Sequence, residues 1–169
     1  QVKNPLFKFS LQPSFSLKTI FKEKWKAFAF LAFLVFAAYF NSLNNDFVSD
    51  DVSGILENQN LGNLTYIFTI KSLSFLRDFF YFLVYKVWGV EPLFFRLINI
   101  FFHLLSVWLI YLLILLLGNQ NLAFFTASIF AVHPLLSEAI TWVSGGPYSQ
   151  YSFFLLFSFL LYVLAKIKN

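Results

Sequence analysis

Two adjacent carboxylates, Asp50 and Asp51, stand in a polar stretch between apolar runs. A carboxylate placed there can draw the proton from a hydroxyl as a general base, or the two can share a divalent metal ion. The same acids also suit the first turn of a short helix over 50–57, where they favour the macrodipole and Ser49 serves as the cap. A second group is Arg96, Asn99, His103 and Ser106, whose spacings of 3, 4 and 3 put all four on one helix face. Inside a membrane such a face must look into protein or a wet cavity. It either bonds neighbouring helices or forms a polar wall for an anionic headgroup, with Arg96 at the mouth. A third group is His133-Pro134, then Glu138 and Trp142. Pro134 suits the first turn of a new helix, and Glu138 and Trp142, four apart, would share its face. The structural alternative is a kink capped by His133. Arg77-Asp78 is a local charge pair, and Asn63-Leu64-Thr65 is an N-glycosylation triplet. The chain has no Cys, so disulfides, thiolate zinc sites and thiol nucleophiles are excluded. No Gly-rich phosphate loop, Ser/His/Asp array or dinucleotide fingerprint is present.

The elements that hold these residues follow from composition. Of 169 residues, 59% are hydrophobic and 12% charged, against about 45–50% and about 25% in soluble domains. Twelve basic and eight acidic residues cannot coat a soluble domain of this size. The chain is also too apolar to be disordered. What remains is an all-α integral membrane protein, and the lipid bilayer is its first partner. Apolar runs predict four transmembrane helices: 27–40, lengthened by Trp25 and the Lys stems; 93–117, about 37 Å long at ~1.5 Å per residue; a third within 122–147, which also holds the His-Pro and Glu138 segment; and 148–165. The outer loop 41–92 carries interfacial helices, one over 72–89 whose Arg77, Asp78 and Lys86 fit a bilayer surface better than a fifth span.

Lysines flank the spans in the arm 1–26 and the end 166–169. That pattern points to anionic headgroups rather than nucleic acid. By the positive-inside rule both termini are cytoplasmic, and four spans return the chain to the side it left. The expectation is a multi-pass protein of the cell membrane, with the acidic segment 41–71 outside. Met is absent, so the chain is processed, trimmed or a piece of a longer protein.

Several motifs in register resemble a known family. The string NSLNNDFVSDDVSGILEN (41–58) is similar to the first outer loop of GT-C membrane glycosyltransferases. The branch is that of the tetratricopeptide-repeat-associated proteins related to the protein O-mannosyltransferases. The likeness continues through WGVEP (88–92), Asn99 with His103, and FAVHPLLSEAITWVSG (130–145), and covers roughly residues 39–165. Departures are Arg77-Asp78 where the family usually has Arg-Pro, Phe95-Arg96 where it has an aromatic-His step, and Gly145-Gly146-Pro147 where it has Gly-Arg-x-Asp.

The resemblance implies a fold of a first span, a long outer loop with juxtamembrane helices, and further spans. It implies transfer of a sugar from a polyprenyl-phosphate carrier to a protein or lipid hydroxyl outside the cytoplasm. Asp50 becomes the candidate base or metal ligand, with Asp51 supporting it and Glu138 as a further catalytic carboxylate. His133, Asn99 and His103 line the substrate cavity, and Arg77 and Arg96 hold the carrier phosphate. The alternative is a non-catalytic multi-span subunit that scaffolds a larger complex, with other membrane subunits or the remainder of a longer chain as partners.

Overall fold

A computed structural model describes residues 17–69 and 75–168. Among them every regular element is helical and no strand occurs, as an all-α membrane protein requires. The first helix, α1, runs Leu17–Tyr39. It starts well before the apolar run 27–40 because the Lys-rich turns ahead of Ala27 continue it without a breaker. Its buried residues Phe28, Leu31, Val35 and Tyr39 recur at helical spacing, while Phe33 and Phe40 face outward. The rest of the expected arm, including Lys3 and Lys8, lies outside the described residues.

The segment that follows is built of short pieces. A 3-10 turn Phe40–Ser42 ends the first helix, and a single π turn Val52–Leu56 follows the acidic pair. Then come α2 (Leu64–Thr69) and α3 (Phe75–Trp88). The expected interfacial helix 72–89 corresponds to α3, with 72–74 outside the described residues. At 14 residues it is about 21 Å long, too short for a bilayer core of ~30 Å. The segment has its own small core, in which Ile55, Leu61, Tyr81 and Val84 pack with Phe95 and Val143.

The central helix α4 is Pro92–Leu115, with Pro92 in its first turn. It is buried on most of its circumference and packs against α1, α5 and α7. Gly118, at φ 83°, turns the chain out of it. Asn119 caps α5 (Gln120–Val132) by accepting the Leu122 N–H at 2.9 Å. Ala123, Ala127 and Ala131 form a fully buried small-residue seam on α5, which lets its backbone approach its neighbours closely.

His133 precedes proline and is extended (φ −66°, ψ 125°). The chain therefore bends by 49° into the 3-10 turn Pro134–Leu136 and α6 (Ser137–Thr141). A further 3-10 turn Val143–Gly145 leads into α7 (Gly146–Lys168), which extends past both ends of the expected 148–165. Three stretches are long and apolar enough to cross a membrane, and four if the bent pair counts as one span.

Candidate functional site

The N-terminal end of α4 gathers three separate stretches of chain: the acidic loop, α3 and the turn between α6 and α7. Asp51 is wholly buried. Its Oδ1 accepts the Ser144 N–H at 2.8 Å and the Ser144 hydroxyl at 2.6 Å, and its Oδ2 accepts the Val48 N–H at 3.2 Å. Trp142 Nε1–H donates to the Val48 carbonyl at 3.4 Å. Asp51 thus fastens the acidic loop to the turn after α6. Asp50 is exposed, and among the described residues its carboxylate accepts from the Ser49 hydroxyl alone, at Oδ1 and 3.3 Å. Ser49 is held at φ 53°, in the left-handed region that costs a non-glycine residue roughly 1–2 kcal/mol. Its hydroxyl donates to Asp50 and makes no side-chain cap of the turn that follows, unlike the helix cap expected.

The polar face of α4 is present, and its atoms are spent on backbone carbonyls. Arg96 is 1% exposed. Its Nε donates to the Thr141 carbonyl at 2.9 Å, its Nη2 to that of Asp46 at 2.6 Å, and its Nη1 to that of Asn45. Asn99 Nδ2 donates to the carbonyls of Trp142 and Val143 at 3.1 and 3.3 Å. His103 Nε2 meets the Ala131 carbonyl at 3.1 Å, with its ring edge-on to Tyr39. The Ser106 hydroxyl donates within its own helix to Phe102. Arg96 was expected to hold a phosphate at an open mouth. Instead it is sealed inside, where it satisfies carbonyls that irregular loops would otherwise bury unpaired.

The turn after α6 accepts this packing because it carries glycines. A Cβ at Gly145 would come within 2.7 Å of the Glu138 carbonyl oxygen, and one at Gly146 would strike the Asn99 amide. Tyr81, buried on α3, lies beside Ser144 and within electrostatic reach of Arg77, Asp78 and Asp51. Burial pushes its phenol well above the ordinary range, so it remains a neutral hydroxyl. Arg77 Nε pairs with Asp78 at 2.9 Å, and its guanidinium sits 5.8 Å from the Tyr81 ring.

His133 and Glu138 lie on the bent segment. His133 Nδ1 accepts the Leu135 N–H at 3.3 Å, so it caps the 3-10 turn with Nδ1 unprotonated, and its Nε2 is the nitrogen left for other partners. Glu138 is exposed in the first turn of α6. No hydrogen bond or ion pair joins either to Asp50 among the described residues.

Two cavities meet here. One, of about 140 Å³, is lined by His103, Ser106, Tyr148, Ser149 and Ser152 among apolar residues. The other is an apolar groove of about 370 Å³ along Thr126, Ile129, His133 and Leu135. They share Phe130 and Leu136 as walls. The serines and Tyr148 escaped sequence reasoning because polar residues at the start of an apolar helix read as its interface.

The fit to a metal is poor. Asp50 and Asp51 face different surroundings, and a shared ion would have to displace Ser144 from Asp51. Among the described residues no three of His, Cys, Asp or Glu converge as a metal-holding group.

Known proteins resemble the chain over most of its length. The human protein O-mannosyl-transferase TMTC3 is 34% identical over 150 residues, which cover 79% of this chain and 16% of that protein. Its mouse counterpart is 32% identical over 159 residues, or 84% of this chain and 17% of the relative. The Drosophila melanogaster protein O-mannosyl-transferase Tmtc1 is 30% identical over 134 residues, or 66% of this chain and 15% of the relative. The chain therefore spans only about a sixth of the length of these relatives. No family model matches it. No solved structure matches it either.

Proposed function

The chain is a distant homologue of the N-terminal portion of the protein O-mannosyl-transferases, a group of GT-C-type membrane glycosyltransferases, and on that footing we propose that it forms the outer-face membrane part of such an enzyme. The enzyme moves a sugar from a polyprenyl-phosphate carrier to a protein or lipid hydroxyl on the non-cytoplasmic side. Mannose is the sugar that the relatives' names favour. The observation that carries this reading is the division of labour in the acidic pair: Asp51 is consumed in anchoring the loop, and that anchor leaves Asp50 as an exposed carboxylate on a fixed support.

In this reading the acceptor oxygen attacks the anomeric carbon. The bond from that carbon to the carrier phosphate breaks with its electron pair on the phosphate oxygen, and Asp50 takes the hydroxyl proton. Arg77 supplies positive charge to the departing phosphate. It is the arginine at this end whose side chain is part-exposed, whereas Arg96 acts through the backbone it holds. The apolar groove beside His133 suits a prenyl chain entering from the bilayer, with His133 Nε2 at its outer mouth. Glu138 belongs to the same end, as a second exposed carboxylate facing the acceptor side. The chemistry needs no metal at Asp50.

The test uses the full-length protein that carries this segment. Asp50→Asn abolishes mannose transfer at unchanged expression, and Arg77→Ala raises the KM for the carrier. Turnover retained in Asp50→Asn removes the base role. A full-length protein that binds the carrier but transfers nothing favours the scaffold reading, which Gly145-Gly146-Pro147 supports by leaving out the family's charge pair.

A further inference from the structure

Asn63 ends the polar bend that leads from the π turn Val52–Leu56 into α2. Its side-chain Oδ1 accepts the Thr65 N–H at 3.0 Å and the Tyr66 N–H at 3.4 Å, closing an Asx turn over Asn63-Leu64-Thr65. Those bonds engage the amide oxygen and leave the amide nitrogen to other chemistry. Asn63 and Thr65 are both exposed, as are Gln59 and Asn60 just before them. The base of the bend is fixed. Leu61 is buried in the outer core, and Gly62 sits so close to Tyr85 that a Cβ there would come within 2.8 Å of its ring. The triplet is thus presented outward from a rigid support, with its nucleophilic nitrogen and its hydroxyl both accessible.

We propose that Asn63 is an N-glycosylation site. The step is carried out by a separate transferase acting on this chain. Asn63 Nδ2 forms a bond to the anomeric carbon of a lipid-pyrophosphate-linked oligosaccharide. The carbon–oxygen bond to the pyrophosphate breaks with its electrons on the leaving oxygen, and the Nδ2 proton passes to a base of that transferase. The proposal rests on the outward placement of the loop 41–71 but is independent of the sugar-transfer activity proposed above.

The experiment is glycosidase digestion of the full-length protein from eukaryotic membranes, read as gel mobility. The wild type loses the mass of one more glycan than Asn63→Gln or Thr65→Ala, and Thr65→Ser behaves as wild type. Thr65→Ala is the decisive variant, because Thr65 lends the turn only its backbone N–H. It removes the hydroxyl without disturbing the cap, so a purely structural Asn63 would show no difference. Asn60→Cys, in a segment with no other cysteine, is labelled in parallel in sealed microsomes with a membrane-impermeant maleimide. Labelling that needs permeabilisation, with no mobility difference, overturns the modification and keeps the orientation. Labelling without permeabilisation, with no mobility difference, overturns both.

Discussion

Replacing Asp51 with alanine removes the acceptor from the Ser144 N–H, the Ser144 hydroxyl and the Val48 N–H in one step. A buried donor left unpaired costs about 1–3 kcal/mol, so Asp51→Ala should lower the thermal midpoint of the purified full-length protein clearly. Asp50→Ala loses one exposed contact with Ser49 and should stay within about 0.5 kcal/mol of wild type. Equal midpoints for the two variants would refute the division between anchor and base. The pair was legible in the sequence as two carboxylates, but not which of them would be buried. Burial here is decided by Ser144, which arrives from 93 residues away and belongs to no sequence pattern around the acids. The 3-4-3 spacing of Arg96, Asn99, His103 and Ser106 correctly placed them on one face. Their partners were not legible, because Arg96, Asn99 and His103 all meet backbone carbonyls, and any residue supplies one.

The turn Val143–Gly145 and the start of α7 depend on missing side chains, and the two kinds of glycine in this chain give opposite expectations. Gly145→Ala sets a methyl group against the Glu138 carbonyl, a backbone atom that cannot swing away. It should destabilise the protein by ~1–3 kcal/mol and loosen the Asp51–Ser144 anchor next to it. Gly54, in the π turn after the acidic pair, has nothing within reach of an added Cβ and does not need a positive φ. Gly54→Ala should therefore stabilise by about 0.4–1 kcal/mol through the unfolded chain. Paired melts of the two variants check this, and a destabilised Gly54→Ala would mean the π turn needs glycine for another reason. In the sequence Gly145-Gly146-Pro147 stands out only as a departure from the family's Gly-Arg-x-Asp, and the structure places a turn there. The close approach to Glu138 and Asn99 was hidden, since it depends on how α4, α6 and α7 converge. The early start of α1 was missed for a similar reason. Hydropathy marks where a helix meets lipid, whereas its ends follow local propensity and breakers.

Three stretches are long enough to cross a bilayer on their own, and the fourth crossing depends on the bent pair α5 and α6. Alone, α5 has 13 residues and a length of about 20 Å, short of a core of ~30 Å, so by length it could equally enter and return. Contacts between helix ends favour a crossing. Lys24 near the start of α1 bonds Gln120 at the start of α5 at 2.7 Å, which puts both starts at one end of the bundle. Further along, His103 meets Ala131, so α5 climbs antiparallel to α4. Gly146, the first residue of α7, packs on Asn99 two turns into α4. The chain therefore leaves the far end of α4 near Gly118 and regains the level of its near end before α7 begins. A re-entrant pair would start α7 beside Leu115 instead. The charge parity of the two Lys-rich ends gives four spans from sequence, against three or four here, and the bend at Pro134 left the path of the third open. Single cysteines at two exposed positions, Asn121→Cys in the first turn of α5 and Ser137→Cys at the start of α6, test the crossing in sealed vesicles of known orientation. An impermeant thiol reagent should reach Asn121→Cys from the cytoplasmic side only and Ser137→Cys from the opposite side only. Labelling of both from one side would make the pair a re-entrant hairpin, and the exposed Asp50 would no longer share a membrane face with Glu138.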